Sequence, residues 1–266
     1  MKKLGVLALS ILMILSVFAG CVGKAQEENP LVVGMELAYP PFETKDNDGN
    51  PAGISVDLAK ALGKYLDRPV QIENTAWDGL IPSLQTGKVD VVISSMTITD
   101  ERSKVVDFSV PYAHAYLALL TNQDSNINSV EDLNQSDKTI AVKKGTTGYI
   151  YATTNLTNAK INAFSSENAC VTEVTQGKAD AFIYDELTIY RQNQNNPDTT
   201  KAVMIPNQEG ESWGMGVNKG NTELLTKINE FITEYKENGG FDELTEKYLS
   251  EEKQTFDELG FPWFFD

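Results

Sequence analysis

The sequence predicts an α/β protein of two similarly built lobes facing one ligand cleft, and three observations lead there. Apolar, strand-like runs alternate with helix-like segments after residue 30, the rhythm of strand–helix–strand units. Two segments repeat: "SLQTGKVDVVIS" around Gly87 and "EVTQGKADAFIY" around Gly177 share a helix end, Gly-Lys, an Asp and an apolar strand. Glycine commonly closes helices, which explains part of the likeness, but both copies also run straight into a polar cluster, Ser94-Ser95 in one and Tyr184-Asp185 in the other. Finally, four strand ends are polar, at Glu36 to Tyr39, Ser94 to Thr99, Lys143 to Gly148 and Tyr184 to Glu186, two in each half. In parallel α/β sheets ligands gather beyond the carboxyl ends of the strands, so facing lobes bring these four ends around one cleft.

The elements follow in order. "PLVVGME" reads as a strand, "AYPPFE" as a Pro-containing turn, "KDNDGNPAG" as a loop and "SVDLAKALGKYL" as a helix. Strand "PVQIEN", helix "GLIPSLQTG" and strand "KVDVVIS" complete the first run.

The N-terminus stands apart. Lys2 and Lys3 precede an apolar run from Leu4 to Ala19, which reads as a signal peptide over residues 1–20. A membrane-spanning helix needs about 20 apolar residues, and this run is shorter. Ala19-Gly20 before Cys21 resembles the lipobox of exported lipoproteins, in which the cysteine is lipid-modified; Phe18 departs from the usual Leu there. Residues 21–29 then form a flexible tether. With Cys21 acylated, Cys170 is alone and no disulfide framework exists; in "ENACVTEV" it reads as a small buried side chain.

The formal charge is −16, and −18 once Lys2 and Lys3 are removed, which disfavours nucleic acid and anionic membrane surfaces as partners. The acidity suits solubility outside the cell. Asn134 and Asn155 are N-x-[ST] acceptors wherever the host has the glycosylation machinery.

Several segments carry chemistry. In "SSMTITDER" a capping Thr99 or Asp100, the hydroxyl of Thr97 and Arg102 together suit a carboxylate, although the segment by itself is as simply a capped helix start with a surface ion pair. "VKKGTTGY" offers Thr146 and Thr147 between Gly145 and Gly148; it is either an anion-binding turn or an ordinary glycine turn, and it lacks the P-loop spacing. Asp185 ends an apolar strand, a costly place for a carboxylate without a cation such as an ammonium; capping of the next helix is the compatible alternative. Tyr39 and Trp77 lie beside turns, as ligand-flanking rings or as core, and Phe42 reads as core. His114 is the only histidine and there is no GxSxG elbow or clustered metal ligand set, so no enzyme, metal or cofactor is expected.

From Pro30 to about Leu249 the chain resembles the periplasmic-type solute-binding proteins of ABC transporters, in the branch that binds polar amino acids. The resemblance rests on "YPPFE", "GISVDLAKALG", "WDGLIPSLQTGKVDVVISSMTITDER", "VDFSVPY", "VKKGTTG", "KADAFIYDE" and "GMGVNK". It implies the type II two-lobed fold with a double-crossing hinge: lobe 1 over 30–116 and 213–266 with the tail, lobe 2 over 117–212. It gives Arg102 the ligand carboxylate with Thr97 and Thr147, and Asp185 the ammonium with the backbone of Ser95. Tyr39 and Trp77 fall beside the ligand, and Ser94 and Thr146 join the site. Glu36, Lys143 and Tyr184 fall near the ligand side chain; an acid beside a lysine suits an amide such as glutamine, with basic amino acids second because Lys143 repels them.

The resemblance further implies a monomer that hands its ligand to permease subunits, anchored to the outer face of the cytoplasmic membrane. Two alternatives remain on the same scaffold, a cyclohexadienyl dehydratase and a sensor module. The tail "TFDELGFPWFFD" departs from the family's usual ending and is expected to pack on a lobe, with an interaction surface as the alternative.

Overall fold

The structure is a computed structural model describing residues 29–205, 208–259 and 262–265; Cys21 and the segment before it lie outside these. The chain runs through β1 (Leu31–Met35), a small hairpin of β2 (Thr44–Lys45) and β3 (Pro51–Ala52), α1 (Ile54–Tyr65), β4 (Val70–Asn74), α2 (Leu80–Gln85), β5 (Val91–Val92), α3 (Asp100–Ser103) and β6 (Val106–Phe108). It continues through β7 (Ala113–Ala115), β8 (Leu117–Asn122), β9 (Thr139–Lys143), α4 (Thr147–Asn155), β10 (Lys160–Phe164), α5 (Glu167–Thr175), β11 (Ala181–Asp185), α6 (Glu186–Asn195) and β12 (Thr200–Met204). Strands β13 (Glu211–Trp213) and β14 (Gly216–Asn218) lead to α7 (Thr222–Glu237), α8 (Gly240–Tyr248) and α9 (Ser250–Leu259).

Two five-stranded sheets share one plan, β4-β1-β5-β14-β6 and β10-β9-β11-β8-β12. In each, three parallel strands are followed by an antiparallel one, β14 against β5 and β8 against β11. The repeated sequence segments are α2–β5 and α5–β11, which hold the same place in the two sheets.

Their shared letters have shared physical roles. Gly87 and Gly177 close the two helices with φ of 70° and 67°, a conformation that costs glycine little. Behind each, the Lys N–H reaches back to a helix carbonyl, Lys88 to Ser83 at 2.9 Å and Lys178 to Glu173 at 2.8 Å. The Asp two residues further on accepts from the neighbouring parallel strand, Asp90 from Val32 N–H at 3.0 Å and Asp180 from Thr139 N–H at 2.8 Å. Glycine closure explains only the first of these features.

The chain passes between the sheets twice, along β7 and β13, which pair antiparallel with Ala115 opposite Glu211 and Ala113 opposite Trp213. The tail covers this crossing. Trp263, Phe264 and Phe265 are buried, the carbonyl of Phe264 accepts from His114 N–H at 2.7 Å, and the Phe264 ring lies 5.8 Å from Trp213 and 5.6 Å from Phe42. Each buried aromatic of this kind contributes about 1.5–3 kcal/mol through area removed from water. Helix α9 also reaches α6, through an Arg191–Glu252 ion pair and the Phe256 ring 6.0 Å from Tyr190. The tail thus packs on the first lobe and touches the second.

Helix α4 lies unusually close to β11, because a Cβ at Gly148 would stand 2.4 Å from the Ile183 carbonyl oxygen. Backbone on both sides leaves no room to yield. Gly148→Ala is therefore expected to lower unfolding stability by about 1–3 kcal/mol, measured by chemical denaturation, as overpacking against rigid atoms does.

Candidate functional site

The four polar strand ends meet in one cleft between the sheets. At the end of β1, the Glu36 N–H donates to Ser94 Oγ at 3.0 Å, tying the first end to the second. The turn that follows holds Tyr39 by paired backbone bonds with Glu43, and stacks its ring on Phe42 with centroids 5.2 Å apart. Beyond β5, Ser95 has φ of 48°, a left-handed conformation uncommon for a residue with a side chain and typical of constrained sites.

Below this turn lies Glu43. Its carboxyl accepts from Ser55 Oγ at 2.6 Å and from the hydroxyls of Ser94 and Ser95, each at 3.1 Å. Burial outweighs these three hydroxyls and pushes the carboxyl up to about 8.

Arg102 combines both readings of its segment. Thr99 Oγ1 caps α3 by accepting from the Arg102 N–H at 3.2 Å, as a capping motif requires. The side chain, however, is buried rather than paired at the surface. Its guanidinium donates to the Thr97 carbonyl at 2.6 Å and, across the cleft, to the Gly145 carbonyl at 3.1 Å, with Cζ 5.3 Å from the Trp77 ring centroid. Two of its five N–H groups are thereby used.

The third strand end supplies α4. Thr146 caps that helix by accepting from Tyr149 N–H, and Thr147 donates to Glu211 Oε2 at 2.8 Å. Thr97, from the first lobe, donates to the same oxygen at 3.0 Å. Burial pushes the Glu211 carboxyl up, against the two hydroxyls and Arg102, which pull it down.

At the fourth end Asp185 caps α6. One carboxylate oxygen accepts from Thr188 N–H at 2.9 Å. The other is buried outside any hydrogen-bond geometry; burial pushes this carboxyl up, against Thr188 and the nearby Tyr39 hydroxyl, which pull it down. Beside it the Tyr184 ring meets Tyr39 edge-on, with centroids 5.9 Å apart.

The cleft wall contains Glu36, Tyr39, Trp77, Ser94, Ser95, Thr97, Arg102, Thr146, Thr147, Tyr184 and Asp185. Of the residues expected from the sequence, Lys143 alone is not on it. Its buried ammonium pairs with Glu36 across the lobes and lies 5.7 Å from the Trp77 ring centroid, so it contacts two wall residues. Four further residues line the cleft: Glu43, Leu117, Glu211 and Trp213. Glu43 stood in the quoted "YPPFE" turn, but its depth depends on Ser55 and on two serines some fifty residues further on, Ser94 and Ser95. Glu211 carried no local signal, since it meets Thr97 across 114 residues.

The wall therefore presents four carboxyl groups and one guanidinium. Glu167 stands near Asp185, and burial followed by the Asp185 charge pushes it up to about 7. A ligand that supplies an anion to Arg102 and a cation to Asp185 complements this surface.

The sequence pattern of the bacterial extracellular solute-binding proteins, family 3, matches residues 31–251. The L-cystine-binding protein TcyJ of Escherichia coli is 31% identical over 252 residues, spanning 92% of this chain and 94% of that protein. The L-arginine-binding protein of Pseudomonas aeruginosa is 33% identical over 263 residues, spanning 94% of this chain and 97% of its own length. Among solved structures, the ancestral amino acid-binding protein AncCDT-1, a precursor of cyclohexadienyl dehydratase, superposes with a TM-score of 0.76 at 40% identity, covering 82% of this chain and 94% of its own.

Glu43 makes stability depend on pH. Its folded carboxyl titrates near 8 against an ordinary 4.5, so its contribution is fully present below about 4.5 and is lost as pH rises through about 8. The thermal midpoint of the wild type is expected to fall over that window more steeply than that of Glu43→Gln, whose amide cannot ionise. Parallel melting curves for the two proteins would refute this.

Proposed function

This chain belongs to the bacterial extracellular solute-binding proteins, family 3, and we propose that it captures an L-α-amino acid outside the cytoplasmic membrane, cationic side chains preferred, and delivers it to an ABC permease. The observation that carries the reading is the buried, unpartnered oxygen of Asp185 in the same cleft as the Arg102 guanidinium. A carboxylate and a guanidinium held at one cavity suit the ammonium and carboxylate of a zwitterion. Arg102 takes the ligand carboxylate with Thr97 and Thr147, and Asp185 takes the ammonium with the backbone of Ser95. The rings of Tyr39 and Trp77 flank the ligand. Because Arg102 and Thr97 belong to one lobe and Thr147 and Asp185 to the other, a bound ligand favours closure.

Glutamine ranks first on sequence grounds because Lys143 would repel a cationic side chain. The charge pairing in the cleft supports the opposite order. The pairing of Lys143 with Glu36 offsets its repulsion of a cation, while Glu211 adds a carboxyl to the wall. Arginine, lysine and histidine therefore precede glutamine, in keeping with the L-arginine-binding relative. Export through residues 1–20 and a lipid on Cys21 hold the monomer at the membrane by a short tether. Glu43 supports one second reading: a carboxyl titrating near 8 can donate a proton at neutral pH, so a dehydratase activity is tested by turnover of prephenate or arogenate.

Calorimetric titration of the purified protein with the common amino acids tests the main reading. Arginine or lysine is expected to bind most tightly; no binding by any amino acid would sink it. Arg102→Ala and Asp185→Asn are each expected to weaken that binding by about tenfold to more than a hundredfold, the range for charge-assisted hydrogen bonds of ~1.5–3 kcal/mol. The midpoint of unfolding of both variants should stay near that of the wild type.

A further inference from the structure

The geometry points to Glu211 as a built-in carboxylate that occupies the ligand-carboxylate position and must be displaced by any amino acid that binds. This rests on the proposed function, in which Thr97, Thr147 and Arg102 hold that carboxylate.

Glu211 Oε2 accepts from Thr97 Oγ1 at 3.0 Å and from Thr147 Oγ1 at 2.8 Å. A hydroxyl carries one proton to donate. With both protons given to Glu211, neither hydroxyl can serve a second carboxylate until Glu211 lets go. Two carboxylates sharing the same donors also repel, and each raises the cost of ionising the other. Burial and the charge of Asp185 already oppose the ionised form of Glu211, while the hydroxyls and Arg102 favour it.

The position of Glu211 on the hinge matters. It lies on β13, paired with Ala115 of β7, where the chain crosses between lobes. Its two donors come from opposite lobes, one before α3 and one at the start of α4. Glu211 is therefore both a competitor for the ligand carboxylate and a clasp that bridges the lobes before a carboxylate arrives. An amine lacking the carboxylate has no need to displace it, so Glu211 also narrows the advantage of an amino acid over its decarboxylated counterpart.

The test compares wild type, Glu211→Gln and Glu211→Ala by calorimetric titration with arginine and with agmatine, which is arginine without its carboxylate. Thermal melting verifies that the variants fold, and Glu211→Gln, close in shape, serves if Glu211→Ala does not. Arginine is expected to bind about tenfold more tightly to Glu211→Ala and by a smaller factor to Glu211→Gln, with agmatine nearly unchanged. Arginine binding equally or less tightly in both variants would overturn the inference while leaving the proposed ligand intact. Small-angle scattering of the proteins without added ligand separates the two claims. If no amino acid binds the wild type, yet Glu211→Ala expands the particle, the proposed ligand falls and the clasp stands; an unchanged radius of gyration removes the clasp.

Discussion

The site is organised around a buried guanidinium. Arg102 lies out of solvent with no carboxylate within ion-pair distance among the described residues, held instead by the carbonyls of Thr97 and Gly145. Neutral carbonyls satisfy donors without cancelling charge, and a buried charge left in that state is costly. The surrounding acid is the response. Glu211 stands near enough to feel Arg102, and the face of Trp77 supports the cation from the side. The same bond to Gly145 reaches across the cleft, so the guanidinium also ties the two lobes together.

Buried carboxyl groups make up the rest of the electrostatics. Glu43, Glu167, Asp185 and Glu211 are each pushed up, with burial as the first cause in every case. They are not equivalent. Glu43 is satisfied by three serine hydroxyls and serves as the floor of the first lobe's turn, whereas Asp185 retains an oxygen without a partner. Only the second kind of acid keeps an oxygen outside any hydrogen-bond geometry.

Both lobes reach this arrangement by the same route. A helix closed by glycine, a strand register anchored by an aspartate to its parallel neighbour, and a polar strand end appear once as 83–95 and again as 173–185. The repetition places a helix N-terminus and a set of hydroxyls or carboxylates at the same edge of each sheet. The hinge strands then turn these edges toward one another.

Much of this was legible in the order of residues. Periodicity and turn chemistry disclosed the strands, the repeated Gly-Lys-x-Asp disclosed the paired lobes, and the polar strand ends disclosed most of the cleft wall, because all of these are local properties of the backbone. Three matters were settled only by the tertiary structure. Lys143 finds its ion-pair partner Glu36 107 residues away, on the other lobe. Glu43 looked like the end of a turn until serines from two other segments closed over it. Glu211 lies in a short hinge strand with nothing around it in sequence to mark it, and it gains its role from hydroxyls on both lobes. Partnership, burial and charge balance depend on which distant segments come together, and one-dimensional spacing does not carry that information.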